Sequence, residues 1–118
     1  MPFDKTLSVL LTECPGVTGA AFTDLDGEDI AVQPRSQRDK LRLCAAYGGI
    51  ALRRLGSAAT AAGRKAPSHV AVQGDRGTFL ALQVGQGYQL VLHLGPGAWL
   101  GRVLPAAGSA VKVLEANV

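Results

Sequence analysis

Aromatic residues are scarce in this chain, with three Phe, two Tyr and a single Trp among 118 residues. A nucleic-acid-binding face calls for stacking rings or a groove-reading motif, and only Tyr47 falls near the basic residues. No apolar run approaches the ~20 residues of a membrane span. The opening MPFDKTLSVLLTECPG has too short an apolar part for a signal peptide and carries an early acid. Cysteine is limited to Cys14 and Cys44, which lack metal-ligand spacing. Without a secretion signal they read as reduced thiols in a cytoplasmic protein.

The usual marks of catalysis are missing as well. A glycine-rich phosphate loop needs a lysine followed by Ser or Thr at a helix start, and neither GPGAWLG nor GQGYQ has one. His69 and His93 fall in predicted strands with no second ligand at metal-like spacing. Cys44 falls on the apolar face of a predicted helix, where a thiol acts as a small hydrophobe. No base is aimed at it. The acids sit on a turn and its flanks rather than in facing pairs. The expectation is a protein that is no enzyme and takes no cofactor or metal.

What the chain does have is Gly and Ala in quantity, 47 % apolar and 18 % charged residues, and a length suited to one domain over residues 1–118. Four acids surround Gly27 in FTDLDGEDI. Read as a calcium loop, with Gly27 at the sixth position, this stretch puts Phe22 and Gln33 where carboxylates are required. Read as strand, Asp-Gly turn and strand, it fits on both sides. A hairpin is expected.

Periodicity supplies the remaining elements. Phe3, Leu7, Leu10, Leu11 and Cys14 recur at helical spacing, with Asp4 as a possible N-cap and Pro15-Gly16 as the stop. The hairpin carries strands over 17–23 and 29–33, and Pro34 ends the second. From Gln37 to about Ala62 a proline-free stretch reads as one long helix. One of its faces holds Leu41, Cys44, Ala45, Gly48, Leu52, Leu55, Gly56 and Ala59. The other holds Arg42, Arg53, Arg54, Ser57 and Thr60, interrupted by Leu43, Tyr47 and Ile50. A meander follows, SHVAVQ, TFLALQV and YQLVLHL, with glycines at its turns. Leu100 to Leu114 form a last helical stripe, which Pro105 should kink or split. The order α-β-β-α-β-β-β-α describes an α+β fold on one five-stranded, mostly antiparallel sheet. The long second helix is expected on one face and the terminal helices on the other.

Two surfaces ask for a partner. A helix of about 25 residues is near 38 Å long, whereas a six-residue strand covers about 20 Å, so the helix overhangs its sheet. The strand SHVAVQ has neither charge nor internal proline, an unguarded edge if it lies outermost. Pairing of two copies, with the long helices side by side, answers both needs through one two-fold axis. The expected dimer interface is Ser68, His69, Val70, Ala71, Val72 and Gln73, with Ala45, Gly48, Gly49, Leu52 and Gly56 of the helix.

The second surface is electrostatic. Up to Pro34 there is one base against six acids, but from Arg35 to Lys65 there are eight bases against Asp39 alone. The apolar side of this helix is alanine and glycine, too slight for membrane insertion. A protein partner fits better, with Leu43, Tyr47 and Ile50 as anchors ringed by Arg42, Arg53 and Arg54. Neither nucleic acid nor membrane insertion is expected.

These motifs together resemble a known family. CPGVTGAAFTDLDGEDIA is similar to the opening of Roadblock/dynein light chain domains, and VAVQGDRGTFLALQVGQGYQLVLHLGPGAWLGRV to their meander and the Leu-Gly start of their last helix. The resemblance covers nearly the whole chain. It implies a non-catalytic domain that dimerises through the third strand and second helix, with itself or a paralogue. Bacterial members of this kind partner small Ras-like GTPases, some as GTPase activators in cell polarity and gliding motility. By position, the GTPase surface carries over to Arg42, Leu43, Tyr47, Ile50, Arg53 and Arg54. Eukaryotic relatives are scaffolds, so a passive dimeric adaptor stands as the alternative.

Overall fold

The computed structural model describes residues 2–118. Helix α1 (Pro2–Glu13) leads into strands β1 (Val17–Asp24) and β2 (Asp29–Gln33). A short 3-10 turn (Arg35–Gln37) then opens helix α2 (Arg38–Ala61). Strands β3 (His69–Gly74), β4 (Gly77–Val84) and β5 (Tyr88–Leu94) follow, and helix α3 (Leu100–Ala116) ends the chain. The five strands form one sheet in the order β2-β1-β5-β4-β3, and every neighbouring pair is antiparallel.

Strand alternation divides the core between the two faces of the sheet. Ala20, Phe22, Leu80, Leu82, Leu90, Leu92 and Leu94 point to one face and meet Leu7, Leu10, Val103, Ala107 and Leu114 of the terminal helices. Phe22 anchors this side, its ring 5.0 Å from Phe3 and 5.6 Å from Tyr88. Ala21, Ala81 and Val91 point to the other face, against Leu41, Ala45 and Leu52 of α2. The second layer is built from smaller residues, so α2 rides close to the strands.

Three local expectations change. Helix α1 starts at Pro2, where a missing N–H costs nothing, so Asp4 lies inside the first turn instead of capping it. There its charge still suits the helix dipole. Helix α2 begins one residue later than expected, after the 3-10 turn. Pro105 does not split α3, which is assigned without a break. Only the donor to the Gly101 carbonyl is lost, and both residues lie on the exposed side, where water can serve that carbonyl.

Candidate partner surfaces

The acidic turn is a backbone device. Asp24 Oδ1 accepts the main-chain N–H groups of Asp26 (2.9 Å) and Glu28 (3.0 Å). Gly27 takes a positive φ of 90° and donates its N–H to the Asp24 carbonyl. Asp26 reaches outward to Arg53 on α2 at 2.7 Å, and Asp29 holds Arg38 at 2.8 Å. The acidic hairpin thus occupies two of the eight bases that the sequence concentrates around α2. Arg53 and Asp26 are both largely exposed, so their pair contributes under about 1 kcal/mol. Arg42 and Arg54 enter neither ion pair seen among the described residues, and both are exposed.

At 100° per residue the contacts of α2 sort its residues into four directions. Leu41, Ala45, Gly48 and Leu52 point into the sheet. Ala46, Gly49 and Arg53 point to the hairpin, where Gly27 lies against Ala46 and Gly49 against the Leu25 carbonyl. Cys44, Tyr47, Ala51 and Leu55 form the opposite flank, on the β3 side of the sheet. Leu43, Ile50 and Arg54 point straight out. Leu43, Tyr47 and Ile50 are 61 %, 63 % and 48 % exposed, an unusual density of bared apolar groups for one helix. The expected anchors Leu43 and Ile50 share the outward face with Arg54, whereas Arg42 is exposed in the direction of the hairpin, in line with Gly49 and Arg53. Tyr47 stands on the β3-side flank, and Arg53 is committed to the hairpin.

The helix residues expected at a dimer interface need correction. Ala45, Gly48, Gly49 and Leu52 are buried under the protomer's own sheet and hairpin and cannot meet a second copy. Gly56 is half-buried, its nearest neighbour being Ala66. Helical periodicity alone does not separate the sheet-facing stripe from the flank beside it. Past Leu52 no residue of α2 is buried, and Leu55 is exposed.

Strand β3 lies at the open edge of the sheet. Its six residues pair one-for-one with β4 without a bulge. The Gln83 N–H donates to the Ser68 carbonyl (2.9 Å), so Ser68, Val70 and Val72 turn their main-chain groups inward to β4. His69, Ala71 and Gln73 turn theirs outward. The other edge, β2, carries a register shift beside Thr23, an ion pair at Asp29 and Pro34 at its end. One edge is guarded and the other is bare.

Little here favours covalent or proton-transfer chemistry. Burial pushes the Cys44 thiol up against the opposing pull of Lys40, and burial with Glu13 pushes up Cys14. Raised thiols are poor nucleophiles. His93 is held below its usual range by burial and by Lys40, with Nδ1 2.7 Å from the Thr18 hydroxyl. His69 sits 3.0 Å from the Ser68 hydroxyl on the open edge. Among the described residues no helix is long and apolar enough to cross a membrane.

Two residues carry more than sequence reasoning assigned them. Gln89 is fully buried beneath α2, and its Nε2 donates to the carbonyls of Ala45 (2.7 Å) and Asp24 (3.2 Å). It ties helix, hairpin and central strand together. In YQLVLHL, Gln89 alternates onto the α2 side with Val91 and His93, which shows only once α2 is placed over that face. The other residue is Trp99, 70 % exposed at the head of α3.

No family model and no curated protein matches the sequence. Solved structures do match. Myxococcus xanthus MglB is similar over 98 % of this chain and 86 % of its own, with a TM-score of 0.85 at 16 % identity. A Roadblock/LC7 domain from Streptomyces avermitilis is similar over 97 % of this chain and 95 % of its own, at a TM-score of 0.81 and 22 % identity. The chain has the Roadblock/LC7 fold. An MglB described in a tetrameric arrangement is also similar, over 98 % of this chain and 88 % of its own, at 0.81 and 21 %. In the Roadblock fold of this chain the element order, the sheet and the two helical layers stand as the sequence motifs implied. The likeness says nothing of which residues meet a partner.

Proposed function

We propose that the chain is a non-catalytic, homodimeric regulator that binds a small Ras-like GTPase and modulates its GTP hydrolysis. The observation that carries this reading is the outward face of α2. Leu43 and Ile50 lie bare between Arg42 and Arg54, which are free to meet an acidic partner surface. A phosphoryl-transfer site needs positioning above all, and a rigid helix can hold a GTPase switch segment in place without contributing a reacting group. The resemblance to bacterial Roadblock proteins supplies the partner class, together with the settings of cell polarity and motility and a cytoplasmic location.

Dimerisation proceeds through the bare β3 edge, with the Tyr47, Ala51 and Leu55 flank of one α2 against its twin. The tetrameric MglB of the same fold supports self-association as a starting point. The outward donors of β3 are odd-numbered, so Ala71→Pro should abolish the dimer and leave a folded monomer. Val70→Pro strikes the ladder to β4 instead and should destabilise the protomer itself. Sedimentation and circular dichroism of both variants distinguish the cases. A folded Ala71→Pro dimer would rule out pairing through this edge.

The test of function is GTP hydrolysis by the cognate small GTPase, measured with and without this protein. A faster rate that saturates with added protein is expected. Binding that leaves the rate unchanged would favour the passive adaptor, and no binding to either nucleotide state would remove the GTPase altogether.

A further inference from the structure

At the head of α3, on the sheet face opposite α2, two loops are tied into a rigid floor. The Gly95 N–H donates to the Gly16 carbonyl (3.0 Å), and the Ala98 N–H to the Gly95 carbonyl (3.1 Å). Gly16 approaches Ala98 so closely that a methyl there would lie 2.6 Å from the Ala98 Cβ. Above this floor opens a groove of about 800 Å³ whose apolar lining includes Pro96, Trp99 and Val103. Trp99 is the only tryptophan of the chain and, among the described residues, the most exposed large apolar side chain. The Arg102 guanidinium stacks on its ring at 5.8 Å from the centroid.

The charge in this groove is uncompensated on one side. Arg102 enters neither ion pair among the described residues. Helix α3 has no side-chain cap and no acid in its first turn, so the positive end of its dipole adds to the guanidinium. Glu13, on the α1 wall, is the one acid lining the groove, so a ligand carboxylate is directed to the Arg102 side. Trp and Arg are the residue types that dominate binding energy at protein contacts, and here they are already stacked on a fixed backbone. A simple anion would use the guanidinium and waste the ring. We propose that this groove docks an acidic peptide segment of another protein, with an Asp or Glu side chain on Arg102 and an adjacent aliphatic side chain against Trp99. The surface is separate from the α2 face, and the proposal does not depend on the GTPase reading.

The test is selection of a random peptide display library on the full chain. Peptides pairing Asp or Glu with a neighbouring aliphatic residue should be enriched. A synthetic copy should shift the emission of Trp99, which reports on this groove alone. Its affinity should fall about tenfold in Arg102→Glu, by loss of a hot-spot contact. Trp99→Ala should weaken it comparably, and Ile50→Asp on α2 should leave it unchanged. Circular dichroism checks the fold of each variant, and Arg102→Gln serves if Arg102→Glu is unstable. Enrichment of only basic or neutral peptides, no enrichment, or equal binding by the folded Arg102 variants would overturn the proposal. So would emission that shifts on dilution of the protein alone, which would give the groove to a second copy.

Discussion

Gly49→Ala is expected to lower stability by about 3 kcal/mol or more, a large share of the ~5–15 kcal/mol that holds a domain of this size. Glycine in mid-helix ordinarily costs about 1 kcal/mol relative to alanine, so propensity alone predicts the opposite sign. The geometry decides it. A Cβ at Gly49 would overlap the carbonyl oxygen of Leu25, and that oxygen belongs to the backbone of the hairpin tip, which no side-chain rotamer can relieve. Gly48 is tight as well, since a Cβ there would lie 2.9 Å from both Ala81 Cβ and Gln89 Oε1. Gly108, on α3, is the control, because a Cβ there meets nothing within 4 Å. Gly108→Ala should leave stability unchanged or raise it by up to about 1 kcal/mol. Thermal melts should show Gly49→Ala down by about 10 °C and Gly108→Ala level or higher. Equal melting of Gly49→Ala and the parent would mean that α2 does not ride on the hairpin as described.

That pair of glycines shows what the sequence makes legible. Periodicity places Gly48 on the small-residue face of the long helix, because the 3.6-residue repeat survives any tertiary context. By the same reasoning Gly49 joins the expected dimer surface, whereas its neighbour is the turn of a hairpin distant in sequence. The same limit explains the dimer residues. Ala45, Gly48, Gly49 and Leu52 look identical, as small apolar positions, whether they cover the chain's own strands or a second copy's. Only the sheet order decides, and β5 runs between β1 and β4, an arrangement that periodicity does not report.

Charge was legible in total but not in pairing. The sequence separates an acidic first third from a basic middle, and the fold brings Asp26 and Asp29 back onto Arg53 and Arg38. Such contacts join residues 27 and 9 positions apart, and the first of them starts from a turn whose geometry rests on Asp24 and Gly27. Gln89 was hidden for a related reason. A polar residue in an antiparallel strand ordinarily faces water, and its burial follows only once α2 is laid over that face.

The largest functional effect is expected on the outward face of α2, and the pairing just described sharpens it. With Arg53 already engaged by Asp26, the free charges are Arg42 and Arg54, and the double change Arg42→Glu with Arg54→Glu should present like charge to an acidic partner. Ile50→Asp should bury an unpaired carboxylate between apolar anchors. Each variant should weaken binding to the cognate GTPase, loaded with a non-hydrolysable GTP analogue, by about 2 kcal/mol or more, roughly thirtyfold. Arg53→Glu should cost less, because it removes a charge that the hairpin already occupies. Association of the parent should slow as salt rises, whereas the Ile50→Asp deficit should persist at high salt. None of these side chains supports the sheet, so circular dichroism should show parent-like folds. Parent-like binding by the folded double variant and by Ile50→Asp would remove α2 as the partner surface. A loss in Arg53→Glu as great as in the others would instead place the contact on the hairpin flank, with the Asp26 pair broken on binding.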